Sequence, residues 1–468
     1  MKYEEIMRRR EALIDGPIYS IPADQMKKIS EKLTDANPKS KDLYEKAKTL
    51  IPGGAQHMLV NKNPFPFTIA NASGSKMFDV DGNEYVDYLM MAGPIILGHN
   101  YPPLIDKVVS VIKEEGIGAG WTSEWELKAT ELIKKNMPSI ELFRYFQSGT
   151  EANMAASRLV RVYTGKKKIM KMGGSYHGWY DPFIWSMHIP HSGPMDGAGI
   201  PQEVFQDLIC CDPPNDLDLI ETHLKEGDVA AVFIEPLGGE SGATPMPPDF
   251  PRELRKLCDT YETLLVFDEV VTAFRVDMGG AQAYYGVDPD ITVMGKILTH
   301  GFPSSGGIGG KKDIMECLVA GLQPTKGRAF VAGTMGANAI TTSAGYWTIR
   351  YIEEENAVER AGAMGDRLTA GLNELFESSE FPFFSYNFKS IVHIETAAPV
   401  AVDIRKEGAI MSALRRKEVV DDIATALLSE GILTKYGARA FLSIAHTDEN
   451  IEKTLKAFEK ILGMLEKE

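Results

Sequence analysis

Between about residue 104 and residue 300 the chain alternates helical stretches with short apolar runs, and this alternation restricts the possible folds more than any other feature. PLIDKVVSVIKEE and TEANMAASRLVRVYT repeat their apolar residues at helical spacing. KKIMKM, DLICC, VAAVFIEP, TLLVFDEV and ITVMG are short runs of strand length. Helices alternating with such strands predict an α/β domain built on a mostly parallel sheet. At 468 residues the chain exceeds the size one hydrophobic core usually serves, so more than one lobe is expected.

The flanking segments read differently. Residues 1–50 mix charge with sparse apolar positions at helical spacing (Leu13, Ile29, Leu33, Tyr44, Ala47) and predict an N-terminal helical arm. Residues 51–103 open at IPGG and carry a DG turn between two strand-like runs in MFDVDGNEYVDYL, a hairpin signal; they form the N-terminal part of a small domain. Residues 104–335 make the large domain, and residues 336–468, with a long helical stretch, strands near FKSIVHIE and RAFLSIAH and a final amphipathic helix, make the C-terminal part of the small one.

Several function classes are set aside. A net charge of −15 repels phosphate backbones, so nucleic acid is not an expected partner. No apolar stretch approaches the ~18 residues of a membrane helix, and the charged start MKYEEIMRRREALIDG does not read as a leader, so a cytoplasmic protein is expected. Cys210, Cys211, Cys258 and Cys317 have neither metal-ligand nor disulfide spacing, and the histidines form no HExxH pattern; no metal is expected. GGIGGKKD at 306–313 lacks the spacing of a dinucleotide or P-loop motif and reads as a hairpin.

The chemistry-bearing residues lie in the alternating region. Lys296 closes the apolar run ITVM and precedes a glycine-rich stretch, and Asp268 and Glu269 end a strand-like run 28 positions upstream. A lysine amine condenses with an aldehyde cofactor and a carboxylate keeps a pyridine nitrogen protonated, which is the pattern of pyridoxal phosphate chemistry. In QSGTEANMAASRLVRVYTG a helix opens at Thr150 just after Ser148 and Gly149, so its N-terminus suits an anion, although an ordinary Ser/Thr cap reads the same way. In KMGGSYHGWYD, Tyr176 and His177 sit between glycines, where a ring can stack on a flat ligand or simply pack.

Together SGTEANMAASRLVRVYTG, GSYHGWYD, FIEPLGGESG, FDEVVTAFR, MGKILTHGFP and AGTMGANA resemble the class III aminotransferases in order and spacing, over about residues 40–465. GPIILGH, GAQAYYGVDPD and LSIAHTDENIEKT are most similar to the group around glutamate-1-semialdehyde aminomutase and the β-amino-acid transaminases. The resemblance implies the aspartate-aminotransferase fold (fold type I), pyridoxal 5'-phosphate, and a homodimer with composite sites. It implies that Lys296 holds the cofactor and moves the proton, that Asp268 faces the pyridine nitrogen, and that Val270, on the same strand face, and Tyr176 cover the two sides of the ring. The resemblance further implies that Ser148, Gly149 and Thr150 bind the phosphate, that Thr334 reaches it from the second subunit, and that His177 and Glu235 join the cofactor site. Arg439 aligns with an arginine that grips the substrate carboxylate and Glu240 with the glutamate that pairs with it; Glu235 and Glu240 also read as loop carboxylates.

Three departures bear on the reaction. The aminomutases carry a carboxylate-binding arginine shortly after the PGG turn, where this chain has PGGAQHMLVNKNP and offers His57 or Lys62. The residues after the lysine are Thr299 and His300 in place of glycines, and His300 reads either as a substrate contact or as packing. Trp121, Trp179 and Trp185 fall in segments that line the entrance in the family, or in a core. The resemblance implies an aminotransferase acting on small amino and keto substrates; an aminomutase or a racemase/epimerase starts from the same chemistry.

Overall fold

The computed structural model describes residues 1–57, 63–118, 120–319 and 327–468; Lys62 lies outside the described residues. The chain divides into two compact units. The sheet unit holds Pro102–Val358 and Asp403–Lys406, and the terminal unit holds Met1–Tyr101, Glu359–Val402 and Glu407–Glu468.

The sheet unit is built on seven strands: β1 Leu142–Phe146, β2 Lys168–Met172, β3 Leu208–Cys211, β4 Val229–Ile234, β5 Leu264–Asp268, β6 Ile291–Gly295 and β7 Gly306–Gly310. Their order is β1-β7-β6-β5-β4-β2-β3. Every pair from β3 across to β6 is parallel, and β7 runs antiparallel to both β6 and β1. The expected alternation is thus realised: β4 and β6 are buried along their whole length, and the apolar runs fill cores on both faces.

The glycine run is a central strand rather than only one arm of a hairpin. A side chain on Gly307 would strike the Phe143 ring, one on Gly309 would meet Ile140 and Phe143, and one on Gly306 would strike the Ser148 backbone. Glycine lets β7 slip between β1 and β6 directly under the turn at Ser148. That turn opens helix α1, Gly149–Thr164, where the Ser148 side chain accepts from Glu151 N at 3.2 Å, the Glu151 carboxylate accepts from Gln147 N at 3.0 Å, and Gly165 ends the helix left-handed.

The boundary between units differs from the expected one. Helix α2, Ala339–Glu354, belongs to the sheet unit, because it packs on the helices Pro102–Glu114 and Glu124–Asn136. One expected long helix is therefore two, α2 and Ala357–Glu377, interrupted at Asn356 with φ 47°.

In the terminal unit the strands Ile69–Ser73, Lys76–Asp79 and Glu84–Asp87 form an antiparallel meander that Ile432–Leu433 joins in parallel. A second sheet comprises Phe384–Phe388, Ile391–Glu395 and Arg439–Phe441. The helices of residues 1–50 pack into this unit. Ile6, Leu13, Ile21, Ile29 and Leu33 enter the unit's core, and the Arg10 guanidinium pairs inside it with Glu395 and donates to the Tyr386 hydroxyl at 2.7 Å.

Candidate active site

In the sheet unit the predicted residues gather at the carboxyl ends of the parallel strands, where open α/β sheets carry their ligand sites. Ser148 follows β1, Tyr176 and His177 follow β2, Glu235 follows β4, Asp268 ends β5 and Lys296 follows β6. Val270 marks their meeting point. A side chain on Gly149 would lie 2.8 Å from Val270 Cγ2, and one on Gly295, just before Lys296, would lie 3.1 Å from Val270 Cγ1. Val270 itself is not on the strand, which ends at Asp268; it stands in the following turn, fixed by its N–H donating to Asp268 Oδ1 at 3.1 Å.

Asp268 is buried and receives two further polar contacts on Oδ2, from Asn153 Nδ2 at 2.8 Å and His177 Nδ1 at 2.7 Å. Asn153 stands one turn inside α1, so the helix that presents its N-terminus also orients the carboxylate. Its side-chain position had no signal in the sequence beyond that spacing. Glu269, the second carboxylate of the pair, is structural: it accepts from Gln282 N at 3.2 Å and from Thr272 Oγ1 at 2.9 Å, and burial pushes its pKa up while these donors offset the rise.

Lys296 is half-buried and begins a short helical turn in the left-handed region, φ 44°, with its carbonyl accepting from Ser305 Oγ at 2.9 Å. A non-glycine residue held there is strained, and such strain concentrates at functional positions. His300 ends the same turn, left-handed and buried.

Glu235 organises the opposite wall. Its Oε1 accepts from Tyr176 N at 2.8 Å and Glu240 N at 2.7 Å, and Oε2 from Ser241 N at 2.8 Å. It thereby fixes the loops that carry Tyr176 and Glu240, although burial pushes its own pKa up. The Tyr176 phenol is also raised, first by burial and then by the nearby Glu240 carboxylate. Gly178, at φ 86°, lets this loop lie against Thr150, where a side chain would collide.

Thr334 is exposed and, with Trp121 at 85% exposure, lines a cleft of about 950 Å³ between the 115–126 and 333–339 segments. Trp179 is exposed, whereas Trp185 packs on Phe205 with ring centroids 5.1 Å apart. His57 and Arg439 belong to the terminal unit; Arg439 is buried on its strand opposite His393, and burial raises the pKa of the Tyr386 phenol while the Arg10 and Arg439 charges offset part of the rise.

Residues 57–384 match the family described as Aminotransferase class-III. The chain belongs to the class-III aminotransferases. It is 34% identical over 438 residues to the glutamate-1-semialdehyde 2,1-aminomutase of Methanopyrus kandleri, covering 92% of this chain and 99% of that protein. Among solved structures it is similar to an omega-transaminase from Sphaerobacter thermophilus, with TM-score 0.79 and 30% identity over 91% of this chain and 97% of that one. It is also similar to a beta-phenylalanine aminotransferase from Variovorax paradoxus, with TM-score 0.79 and 26% identity over 94% and 97%. The sheet order is that of fold type I.

Class-III aminotransferases are pyridoxal-phosphate enzymes, and the side chains fit that group. An amine, a buried carboxylate with its own donors, and a helix N-terminus bearing a hydroxyl surround one valine, matching an aldehyde, a basic ring nitrogen and a phosphate. His177 is fully buried with no hydrogen-bond partner for Nε2, and Asn153 Oδ1 likewise has none, as expected where polar groups face something other than protein.

Proposed function

We propose that this class-III aminotransferase moves an amino group from a carboxylate-bearing amino donor to a keto acid or aldehyde. The observation that carries the reading is the convergence of Lys296, Asp268 and the Ser148–Thr150 helix start on Val270 at one edge of the parallel sheet. Lys296 would hold the cofactor aldehyde, Asp268 its ring nitrogen, and Ser148, Gly149 and Thr150 its phosphate; when bound, the cofactor accepts the electrons released as the donor loses its α-proton.

The residues' own tasks follow from their placement. Asp268, negatively charged and oriented by Asn153 and His177, keeps the ring nitrogen protonated. Lys296 would also supply the amine that takes the proton from the substrate carbon and returns it elsewhere. Tyr176 and Val270 restrict the ring from its two sides. Thr334, exposed on the cleft with Trp121, would complete a phosphate site in a second copy of the chain, which makes the working form a homodimer. Four free cysteines suit a cytoplasmic enzyme.

Transfer between two molecules is favoured over internal transfer because the segment after the PGG turn lacks the arginine expected of an aminomutase. The aminomutase named among its relatives supports the alternative. The deciding experiment adds α-, β- and ω-amino acids singly, without acceptor, while the cofactor absorbance is followed. Conversion to the amine form with release of a keto product is the expected result. If no donor yields a keto product and glutamate-1-semialdehyde alone is rearranged, the aminomutase reading replaces this one.

A further inference from the structure

Beyond Tyr176 lies a residue that neither the motifs nor the resemblance singled out. The His188 ring is parallel to the Tyr176 ring, 10° between planes and 5.1 Å between centroids, and covers one side of it. Its Nδ1 faces the Glu240 carboxylate. The loop that brings it there is tightly bound: Gly174 N donates to Ser186 O at 2.8 Å, Ser186 Oγ to Asp212 Oδ2 at 2.8 Å, and Gly193 N to Ser186 Oγ at 3.0 Å. Both members of the pair occupy the left-handed region, His188 at φ 64° and Glu240 at φ 51°. Backbone strain on two facing residues, each held by its own hydrogen-bonded loop, marks a built arrangement rather than a chance surface contact.

We propose that His188 is a specificity-determining residue that receives the carboxylate of the amino donor, with Glu240 as the internal anion that the donor displaces. This rests on the aminotransferase reading above. The side chain of His188 is 41% exposed and that of Glu240 19%, so the ring meets solvent while Nδ1 is buried behind Glu240, the group a donor would have to displace. Glu235 anchors the backbone N–H of both Tyr176 and Glu240, so the His188–Glu240 pair moves with the ring-stacking tyrosine. A donor carboxylate replaces Glu240 on the imidazolium, and a donor without a carboxylate leaves the pair closed. An imidazolium–carboxylate hydrogen bond is strong enough to bias donor choice by about tenfold or more.

Two measurements test this. In the cofactor-loaded enzyme, His188→Phe keeps a flat ring over Tyr176 but removes the charge. The ratio of kcat/KM for β-alanine to that for propylamine should fall about tenfold, chiefly through KM for β-alanine. An unchanged ratio overturns the proposal. Independently of turnover, propionate is titrated into loaded enzyme carrying 13C-labelled histidine, with the His188 signal assigned by its loss in His188→Phe. Propionate should shift that signal and bind severalfold tighter to Glu240→Gln, whose side chain no longer competes as an anion. No shift, or weaker binding to Glu240→Gln, refutes the assignment. Failure of the wild type to use any amine would instead count against the aminotransferase reading, while the propionate titration would still decide the role of His188.

Discussion

Both units bury clusters of charged and polar groups, and two of them, one from each unit, are organised on opposite principles. In the terminal unit Arg10 Nε donates to Glu395 Oε1 at 3.0 Å and Arg10 Nη2 to the Tyr386 hydroxyl at 2.7 Å, while the Tyr386 ring stacks on His393 at 4.7 Å. Those groups complement one another. In the sheet unit Asp268 is equally buried and has three partners, yet His177 Nε2 and Asn153 Oδ1 are left without any. That cluster stands at the carboxyl edge of a parallel sheet. A buried charge is thus informative about function when its surroundings are incompletely paired, and about stability when they are complete.

Breaking each cluster should therefore fail in a different measurement. The largest effect is expected for Glu395→Ala, which strands the Arg10 guanidinium in the core and lowers unfolding stability by about 3–5 kcal/mol. Chemical denaturation measures it. The folded fraction should still convert the cofactor at close to the normal rate, because nothing in this cluster belongs to the site. Asp268→Asn should do the reverse: it keeps the shape but removes the charge, so donor conversion should slow by about 10²–10³-fold. Stopped-flow absorbance measures that rate. A large loss of rate in Glu395→Ala, or a normal rate in Asp268→Asn, would erase the distinction between the clusters.

The same contrast explains how much was legible from residues alone. Strands β2 to β6 were visible because they are apolar runs between amphipathic helices, and Lys296 and Asp268 because each ends such a run. The glycine run reads as a hairpin, but the central place of β7 has no signal, since its glycines carry no periodic pattern and are required by the side chains of Phe143 on β1 and Ile140 just before it. Val270 was placed on the strand because alternation cannot show where a strand stops; the Asp268 carboxylate ends it by capturing the Val270 N–H. Glu235 reads in the motif either as part of the cofactor site or as a loop carboxylate, and its oxygens accept from backbone groups of two loops. Arg10 and Glu395 lie 385 positions apart, and nothing local in either helix or strand announces the pair. Residues 1–50 read as an arm for the same reason: their sparse apolar face finds its partners in segments distant in sequence, around Tyr85–Tyr88 and in the last hundred residues of the chain.

Lys171 lies between the two extremes and tests whether the distinction is one of degree. It is fully buried on β2, and its ammonium donates to Ser175 O at 3.1 Å, Phe183 O at 3.0 Å and Trp185 O at 2.8 Å. Its donors are all engaged, as in the terminal unit, but the carbonyls it gathers belong to the loop that carries Tyr176 and His177. Burial lowers its pKa to about 8, below the ordinary lysine value of 10.5. Between those two values the unfolded chain holds more protons than the folded one, so stability increases with pH. The gain should be ~1 kcal/mol from pH 7.5 to pH 9, the smallest of these effects. Lys171→Met removes the titrating group, so this part of the pH slope should vanish, leaving three carbonyls without a donor and a lower melting temperature at neutral pH. A Lys171→Met protein that retains the wild-type slope would show that the ammonium is stabilised by its carbonyls strongly enough to stay charged throughout, which would place Lys171 with the fully paired cluster of the terminal unit.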